Sequence, residues 1–415
     1  MVYAAVDCRV FLYETRKALK IAKAHQLTQG DFMKLQYCVY AGVLIFSAIF
    51  LFVGNRLVSV PPANGYNGYE ALTMHSATVT EIIYRDETIH DFGDGFVVAD
   101  VRVDFNAVVN FGTLIQRNFV VVSAVQNISG HLLDDDREVA VGNRIILFYN
   151  QFAEEYHFVN FVRIHYVLVL AIIFFGLMVL FGKSKGLNAL VSLGFICAAI
   201  FLVFIPAVLS GRNIYFTTAI ICAYAIVSTL LIVLGPTKKA LTSILGCFGG
   251  VLLAGVLTRA MDSIMVLSGF IDNEHRFLAA LHYIDLRAVV FAGVTIGVLG
   301  AVMDVALSIS SALWEVKETG GDLDFNDIFT SGINIGKDIV GTMLNTLVLA
   351  YIGSSLATLL LIASSSPSYL ELFNLEMVLV ELLRTLAGSF GLLFTIPLTA
   401  GICAWLYTRE SEFGS

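Results

Sequence analysis

The chain has 415 residues, of which 57% are hydrophobic and 14% charged, with a mean hydropathy of +0.81 and a formal net charge of −8. Soluble domains carry about 25% charged residues, so these values exclude an ordinary soluble protein and indicate an integral membrane protein. The acidic balance also argues against a nucleic-acid partner.

In chain order, residues 1–34 come first, a basic segment with Arg9, Arg16, Lys17, Lys20, Lys23 and Lys34. It is too charged, and the first apolar run starts too late, for a cleaved signal peptide. Residues 10–25 fit a basic amphipathic helix on the inner leaflet or an ordinary solvated helix equally well. Crossing a hydrocarbon core of ~30 Å takes roughly 20 apolar residues. Runs that meet this requirement lie near 35–54, 165–182, 187–209, 214–235, 240–260, 290–313, 338–362 and 386–407, which predicts eight spans. Phe158, Phe161 and Val162 offer an outward extension of the short second run. Flanking Lys and Arg place the N-terminal segment in the cytoplasm, and an even number of spans returns the C-terminus there. Every Lys, including Lys183, Lys185, Lys238 and Lys239, is then cytoplasmic. The final residues, 410–415, read as an expression scar.

Residues 55–163 follow a different pattern. ATVTEIIYRD, FVVADVRVDF, QRNFVVVSAV and EVAVGNRIILFYN alternate apolar and polar side chains, and turn sequences such as GDG and SGH separate them. This predicts an extracytoplasmic all-β domain of five to seven strands, a barrel or a sandwich. Asp134–Asp136 with His90, Asp91 and Asp94 raise the question of calcium, but no EF-hand spacing is present and acidic turns are the simpler reading. The six cysteines lack CxxC spacing, so neither a disulfide framework nor a zinc site is expected. No cofactor is implied.

The remainder, 164–409, predicts a seven-helix transmembrane bundle, and two of its helices carry polar residues in register. In GVLGAVMDVALSISSALWEVKE (297–318), Gly297, Gly300, Asp304, Ser308, Ser311 and Glu315 recur every three or four residues and share one face. Asp304 lies about 16 Å from Glu315 along the helix, near mid-bilayer. An ionised carboxylate there costs about 2.5 kcal/mol or more, so it must be protonated, paired or hydrated. A protonated Asp bonding across a helix interface is the bland alternative to a relay. In the next span, Asn334, Asp338, Gly341 and Asn345 share a face, with Thr342 and Thr346 beside it. The two stripes are expected to face each other, with Thr342 and Asn345 in reach of Asp304, and with Lys337 and Asp338 near the cytoplasmic end. GCFGGVLLAG (246–255) has the small-xxx-small spacing of closely packed helices. Arg259 and Asp262 are spaced as an i,i+3 pair, residues 261–288 read as one amphipathic helix, and Asp285 and Arg287 as rim charges. Pro397 implies a kink or a freed carbonyl.

IDLRAVVFAGVTIGVLGAVMDVALSISSALWEV, SGINIGKDIVGTMLNTLVLAYIGSSL and GSFGLLFTIPLTAGI resemble the YibE/F-like membrane protein family, multispanning proteins of the bacterial cell membrane. The Asp304 helix is also similar in layout to the G-x-x-x-D…E helix of SecD, SecF and other RND-type permeases, in which a mid-membrane Asp takes part in proton coupling. GTMLNTLVLAYIG is similar to the Thr-rich helix after it. Where SecF-like proteins have an Arg in that helix, this chain offers Gly341 or, out of register, Lys337. This likeness implies an RND-like core and carries over, by residue, only Asp304 and the Thr342/Asn345/Thr346 cluster. Together with the polar faces it makes Asp304, Ser308, Thr342 and Asn345 the expected proton or ion relay, with Glu315, Asn334, Asp338, Lys337 and Ser311 as secondary candidates. It also implies pairing of half-units, hence a homodimer or a dimer with a paralogue. The functional expectation is a proton- or ion-coupled secondary transporter or export factor. The alternative is a non-transporting assembly or scaffold protein whose β-domain binds envelope partners. No span carries a His/Glu metal pair, GxSxG or a Cys/His set, so an enzyme is not expected.

Overall fold

A computed structural model of the chain describes residues 38–58, 74–91, 97–110, 119–128, 137–150, 154–271, 275, 278–279, 284–320, 323–364 and 368–413. The basic segment 1–34 and the acidic turns at 92–96 and 134–136 lie outside these residues. The chain forms two compact units, Pro62–Phe181 and Met1–Pro61 with Gly182–Ser415.

The first unit contains five strands, β1 (Met74–Asp91), β2 (Val97–Asn110), β3 (Phe119–Ile128), β4 (Arg144–Asn150) and β5 (Glu155–Phe161). They close in the order β1-β2-β3-β5-β4. The β3–β5 contact is parallel and the other pairings are antiparallel. This is the strand order of an OB-type Greek-key barrel. Alternation supplies its core: Val79, Val103, Phe105, Ala107, Val109, Ile145 and Leu147 are buried, while their neighbours in sequence point outward. β1 has 18 residues and two register shifts, after Val79 and after Ile82. Such bulges let a long strand bend far enough to pair on both sides. Buried Gln126 stitches a non-strand segment to the wall, donating to the Arg137 carbonyl at 3.0 Å and accepting from Val139 N–H at 2.8 Å. Outside, the Arg85 guanidinium grips Glu138 at 2.7 Å, and this hydrogen bond holds the Glu138 carboxyl below the usual carboxylate range. The optional extension of the second span through Phe158 and Phe161 is not taken up: both belong to β5 and pack on the barrel core with Tyr156. EYHFVNF has the period of a strand, and its junction with the following apolar run hid that period.

The long helices are α1 (Cys38–Leu57), α2 (Ile164–Leu209), α3 (Ile214–Leu234), α4 (Lys238–Met265), α5 (Leu286–Gly320), α6 (Phe325–Ser354) and, after the short α7 (Leu356–Ser364) and α8 (Tyr369–Leu372), α9 (Glu376–Phe413). Among the described residues seven helices are long and apolar enough to cross a membrane, against eight expected. The difference lies in α2, whose 46 residues take in both the 165–182 and the 187–209 runs. At 1.5 Å per residue that length is about 69 Å, more than twice the ~30 Å core. Its path breaks at Lys183, where φ is 50° and ψ −129°, so two lengths near one crossing each are joined there.

In the second unit α5 is the central helix, with fifteen buried residues. Val298, Leu299, Val302, Met303 and Ala306 pack against α3 and α4, and Val305, Ile309 and Leu313 against α6 and α9. Polar caps define the helix starts. Asn213 accepts from Phe216 N–H at 3.1 Å, Thr237 from Ala240 N–H at 3.2 Å, and Asp285 from Arg287 N–H at 3.0 Å. Asp285 is therefore the cap of α5 rather than a simple rim charge. The Gly246/Gly250 spacing meets α9, as close packing predicts: a Cβ on Gly250 would collide with the Thr395 hydroxyl and lie 3.0 Å from the Gly391 carbonyl oxygen. α9 runs through Pro397 as one helix.

The reading of 261–288 as one amphipathic helix is also corrected. Val266 adopts a left-handed conformation (φ 53°, ψ 47°) and ends α4, and Leu267 turns inward at 3% exposure. The Glu376 carboxylate at the start of α9 accepts from Ser268 Oγ at 2.6 Å and Gly269 N–H at 2.5 Å, holding the turn. The Arg259–Asp262 pair forms at 2.8 Å.

Candidate functional site

Helical periodicity gives α5 four sides, and neighbours cover three of them. The fourth carries Gly293, Gly297, Gly300, Asp304, Ser308 and Glu315, all exposed, with Ser311 half-buried. The polar stripe read from the sequence is thus real, and among the described residues no helix packs over its Asp304–Glu315 part.

The buried residues of α6, Ile328, Gly332 and Gly336, are all in its first half. Its Gly residues permit the approach: a Cβ on Gly332 would lie 2.7 Å from Ala400 and 3.0 Å from Leu313, and one on Gly336 would collide with Ile396. The opposite face exposes Asn334, Lys337, Asp338, Gly341, Thr342, Asn345 and Thr346. The two stripes lie on the adjacent helices α5 and α6 but do not bond to each other. Thr342 Oγ1 donates to the Ile339 carbonyl at 3.0 Å and Thr346 Oγ1 to the Thr342 carbonyl at 3.0 Å, both within their own helix. The expected hydrogen bonds from Thr342 and Asn345 to Asp304 are absent among the described residues. Hydroxyls that back-bond to their own helix satisfy themselves, which removes the need for a partner across the groove.

Depth also changes for two candidates. Gly332 lies beside Leu313, and Leu347 and Val298 meet at Gly388. This antiparallel register places Gly341 level with Asp304, and Lys337 level with Ser308, about one turn away. Lys337 and Asp338 are therefore well inside α6, which starts at Phe325, and not at its end. The start was missed because DFND (324–327) is polar, yet the Asp327 carboxylate accepts from Asp324 N–H at 3.3 Å and caps the helix.

Two further residues close the Leu286 end of the stripe. Tyr351 Oη lies 3.4 Å from where a Gly297 Cβ would sit, and Arg384 Nη2 3.8 Å from that of Gly293. Arg384 pairs with Glu381 at 2.9 Å, about a quarter exposed on each side. Glu381 Oε2 and Arg384 Nε are buried without a partner among the described residues. The i,i+3 spacing in ELLR signals this pair, but it falls outside the apolar run 386–407. Toward the Trp314 end the buried hydroxyls of Thr242, Ser310 and Tyr407 join α4, α5 and α9, with Thr242 Oγ1 to Ser310 Oγ at 2.5 Å and Ser310 Oγ to the Lys239 carbonyl at 3.0 Å.

A five-stranded barrel followed by a bundle of long apolar helices, with an ionisable residue on the one open polar face of its central helix, defines a multi-pass membrane protein. Among the described residues no group of His, Cys, Asp and Glu is arranged to hold a metal. The chain belongs to the YibE/F-like protein family, whose model matches residues 170–409, more than half its length. No curated protein and no solved structure matches it. The likeness to RND-type permeases therefore rests on sequence layout alone.

Proposed function

We propose that the protein is a secondary transporter or export factor coupled to proton or cation movement, with Asp304 as the responsive group. The observation that carries this reading is the open face of α5. A carboxylate in the middle of a span, on a Gly/Ser track, without a hydrogen-bond partner among the described residues, fits a group that exchanges with water or an ion. Ser308, Ser311 and Glu315 continue the track toward the Trp314 end, and Asn334, Asp338, Thr342 and Asn345 line the neighbouring helix. Both termini are placed in the cytoplasm of a bacterial cell and the barrel outside, from the Lys and Arg distribution. The test is proton flux into liposomes holding the purified protein and a trapped pH dye, driven by an imposed membrane potential. Wild type should acidify the lumen, and Asp304→Asn, which keeps hydrogen bonding but cannot ionise, should fall to the leak of empty liposomes. Equal flux in wild type and Asp304→Asn would remove the reading.

The same face requires a cover. The exposed faces of α1 and α2 are apolar, with Ile45, Phe46 and Phe52 on one and Leu168, Leu170 and Phe174 on the other, and they suit lipid. The exposed faces of α5 and α6 carry Asp304, Lys337 and Asp338 and do not. Two copies inserted the same way share a two-fold axis along the bilayer normal, so each residue meets others at its own depth. The layer of Asp304, Ser308, Lys337 and Gly341 contains both charge signs and is self-complementary. A dimer through α5 and α6 follows. With Cys8, Cys38 and Cys197 replaced, Ser308→Cys should give a covalent dimer with a short bis-maleimide in membranes, and Leu177→Cys should not. Monomer from both, or dimer from both, contradicts this arrangement.

The second reading, a non-transporting scaffold, draws on the barrel, which exposes Ile83, Ile89, Phe119 and Val121 as a partner-binding domain does. In that case Asp304→Asn leaves function intact and the barrel surface carries it.

A further inference from the structure

The barrel unit holds an open cleft of about 430 Å³ between the turn entering β4 and the chain leaving β5. Two arginines flank it. Ile145 pairs with Phe161, and Val162 N–H donates to the Arg144 carbonyl at 2.8 Å, so Arg144 and Arg163 emerge from neighbouring strands. The other wall is fixed by its own bonds. Gly142, at φ 89°, donates its N–H to the Val79 carbonyl at 2.8 Å, and Asn143 Oδ1 accepts from Ala140 N–H at 2.8 Å. The Arg163 guanidinium lies over the Phe161 ring, 5.4 Å from its centre, and the His165 ring packs 3.9 Å from Tyr166. His165 Nδ1 is buried with no hydrogen-bond partner among the described residues.

The charge balance of this cleft is one-sided. No described acidic residue lines it, and neither arginine forms an ion pair with a described residue. Its position is equally specific. α2 starts at Ile164, and its first turns expose Val167, Leu168 and Leu170, which require hydrocarbon. Arg144, Arg163 and His165 therefore stand where the headgroups begin, and Tyr166, 71% exposed, is an aromatic residue of the kind enriched at that level. Two guanidiniums that present paired N–H donors, beside an imidazole, suit phosphate oxygens better than any neutral ligand.

We propose that this cleft is a phosphate-binding site, and that its occupant in the membrane is the headgroup of an anionic phospholipid. The inference uses the crossing of the membrane by α2 and is independent of any role for Asp304. The experiment is native mass spectrometry of the full chain released from micelles containing dioleoyl phosphatidylglycerol or dioleoyl phosphatidylcholine. Phosphatidylglycerol should stay bound at higher occupancy than phosphatidylcholine. The double variant Arg144→Gln/Arg163→Gln should lower its affinity by about thirtyfold, given what each basic residue contributes near an anionic surface. Both side chains are exposed, so the variant should fold, and Arg144→Lys/Arg163→Lys, which keeps the charges but not the paired donors, should bind between wild type and the double Gln variant. Equal retention of both lipids, or a double Gln variant that still holds phosphatidylglycerol, overturns the site. Displacement of phosphatidylglycerol by inorganic phosphate at the same concentration keeps the phosphate site and overturns the lipid as its occupant.

Discussion

Gly250→Leu is expected to destabilise the helix bundle by about 3 kcal/mol, at the upper end of the usual cost of overpacking. The reason is contact with backbone. A Cβ on Gly250 would meet the Thr395 hydroxyl, the Gly391 carbonyl oxygen at 3.0 Å and Val302 at 3.0 Å, and one on Gly391 would lie 2.9 Å from Ala254 and 3.1 Å from the Gly250 carbonyl oxygen. α4 and α9 touch through glycine on both sides, so neither helix yields by turning a rotamer. Val302 stands on α5, so the strain passes directly to the helix that carries Asp304. Gly194→Leu is the control, since nothing lies within 4 Å of that position. Thermal unfolding in detergent should show a large loss for Gly250→Leu and little change for Gly194→Leu. Similar melting of both would mean that α4 and α9 do not pack as described.

The architecture was legible where one period dominated. Strict alternation in ATVTEIIYRD and FVVADVRVDF reported β1 and β2, and the 3.6-residue recurrence of Gly297, Gly300, Asp304 and Ser308 reported a true face of α5. It failed where two periods met. β5 went unread as a separate strand at the end of the β-domain, because Phe158 and Phe161 look equally apolar in a strand or as an extension of the α2 run. Val266 is β-branched and gives no warning of a left-handed turn. Its conformation depends on Leu267 entering the core and on Glu376, more than a hundred residues later, bonding Ser268 and Gly269. Such long-range ties are invisible to local pattern. The site was legible as a set of residues but not as an arrangement. The sequence placed polar stripes on α5 and α6, and only packing shows that the described residues leave both open.

That openness makes Asp304 the residue on which most depends, and two substitutions separate its possible roles. Asp304→Leu matches the apolar neighbours and removes the polar group altogether. If the carboxyl only ties helices together, Asp304→Asn should behave as wild type and Asp304→Leu should weaken the dimer. If it exchanges protons, both variants should fold and neither should support flux. The exposed position of Asp304 favours the second outcome, since no hydrogen bond to a described residue is lost in either variant. Replacement of buried residues on the same helix, such as Val302, should instead lower stability without touching flux in the molecules that remain folded.

Infrared difference spectroscopy of the protein in lipid, stepped through pH, tests the central claim most directly because it needs no knowledge of the substrate. A carboxylic C=O band that appears and disappears with pH in wild type, and is missing from Asp304→Asn, is the predicted result. Superimposable difference spectra from the two proteins would show that Asp304 does not titrate, and would contradict the account.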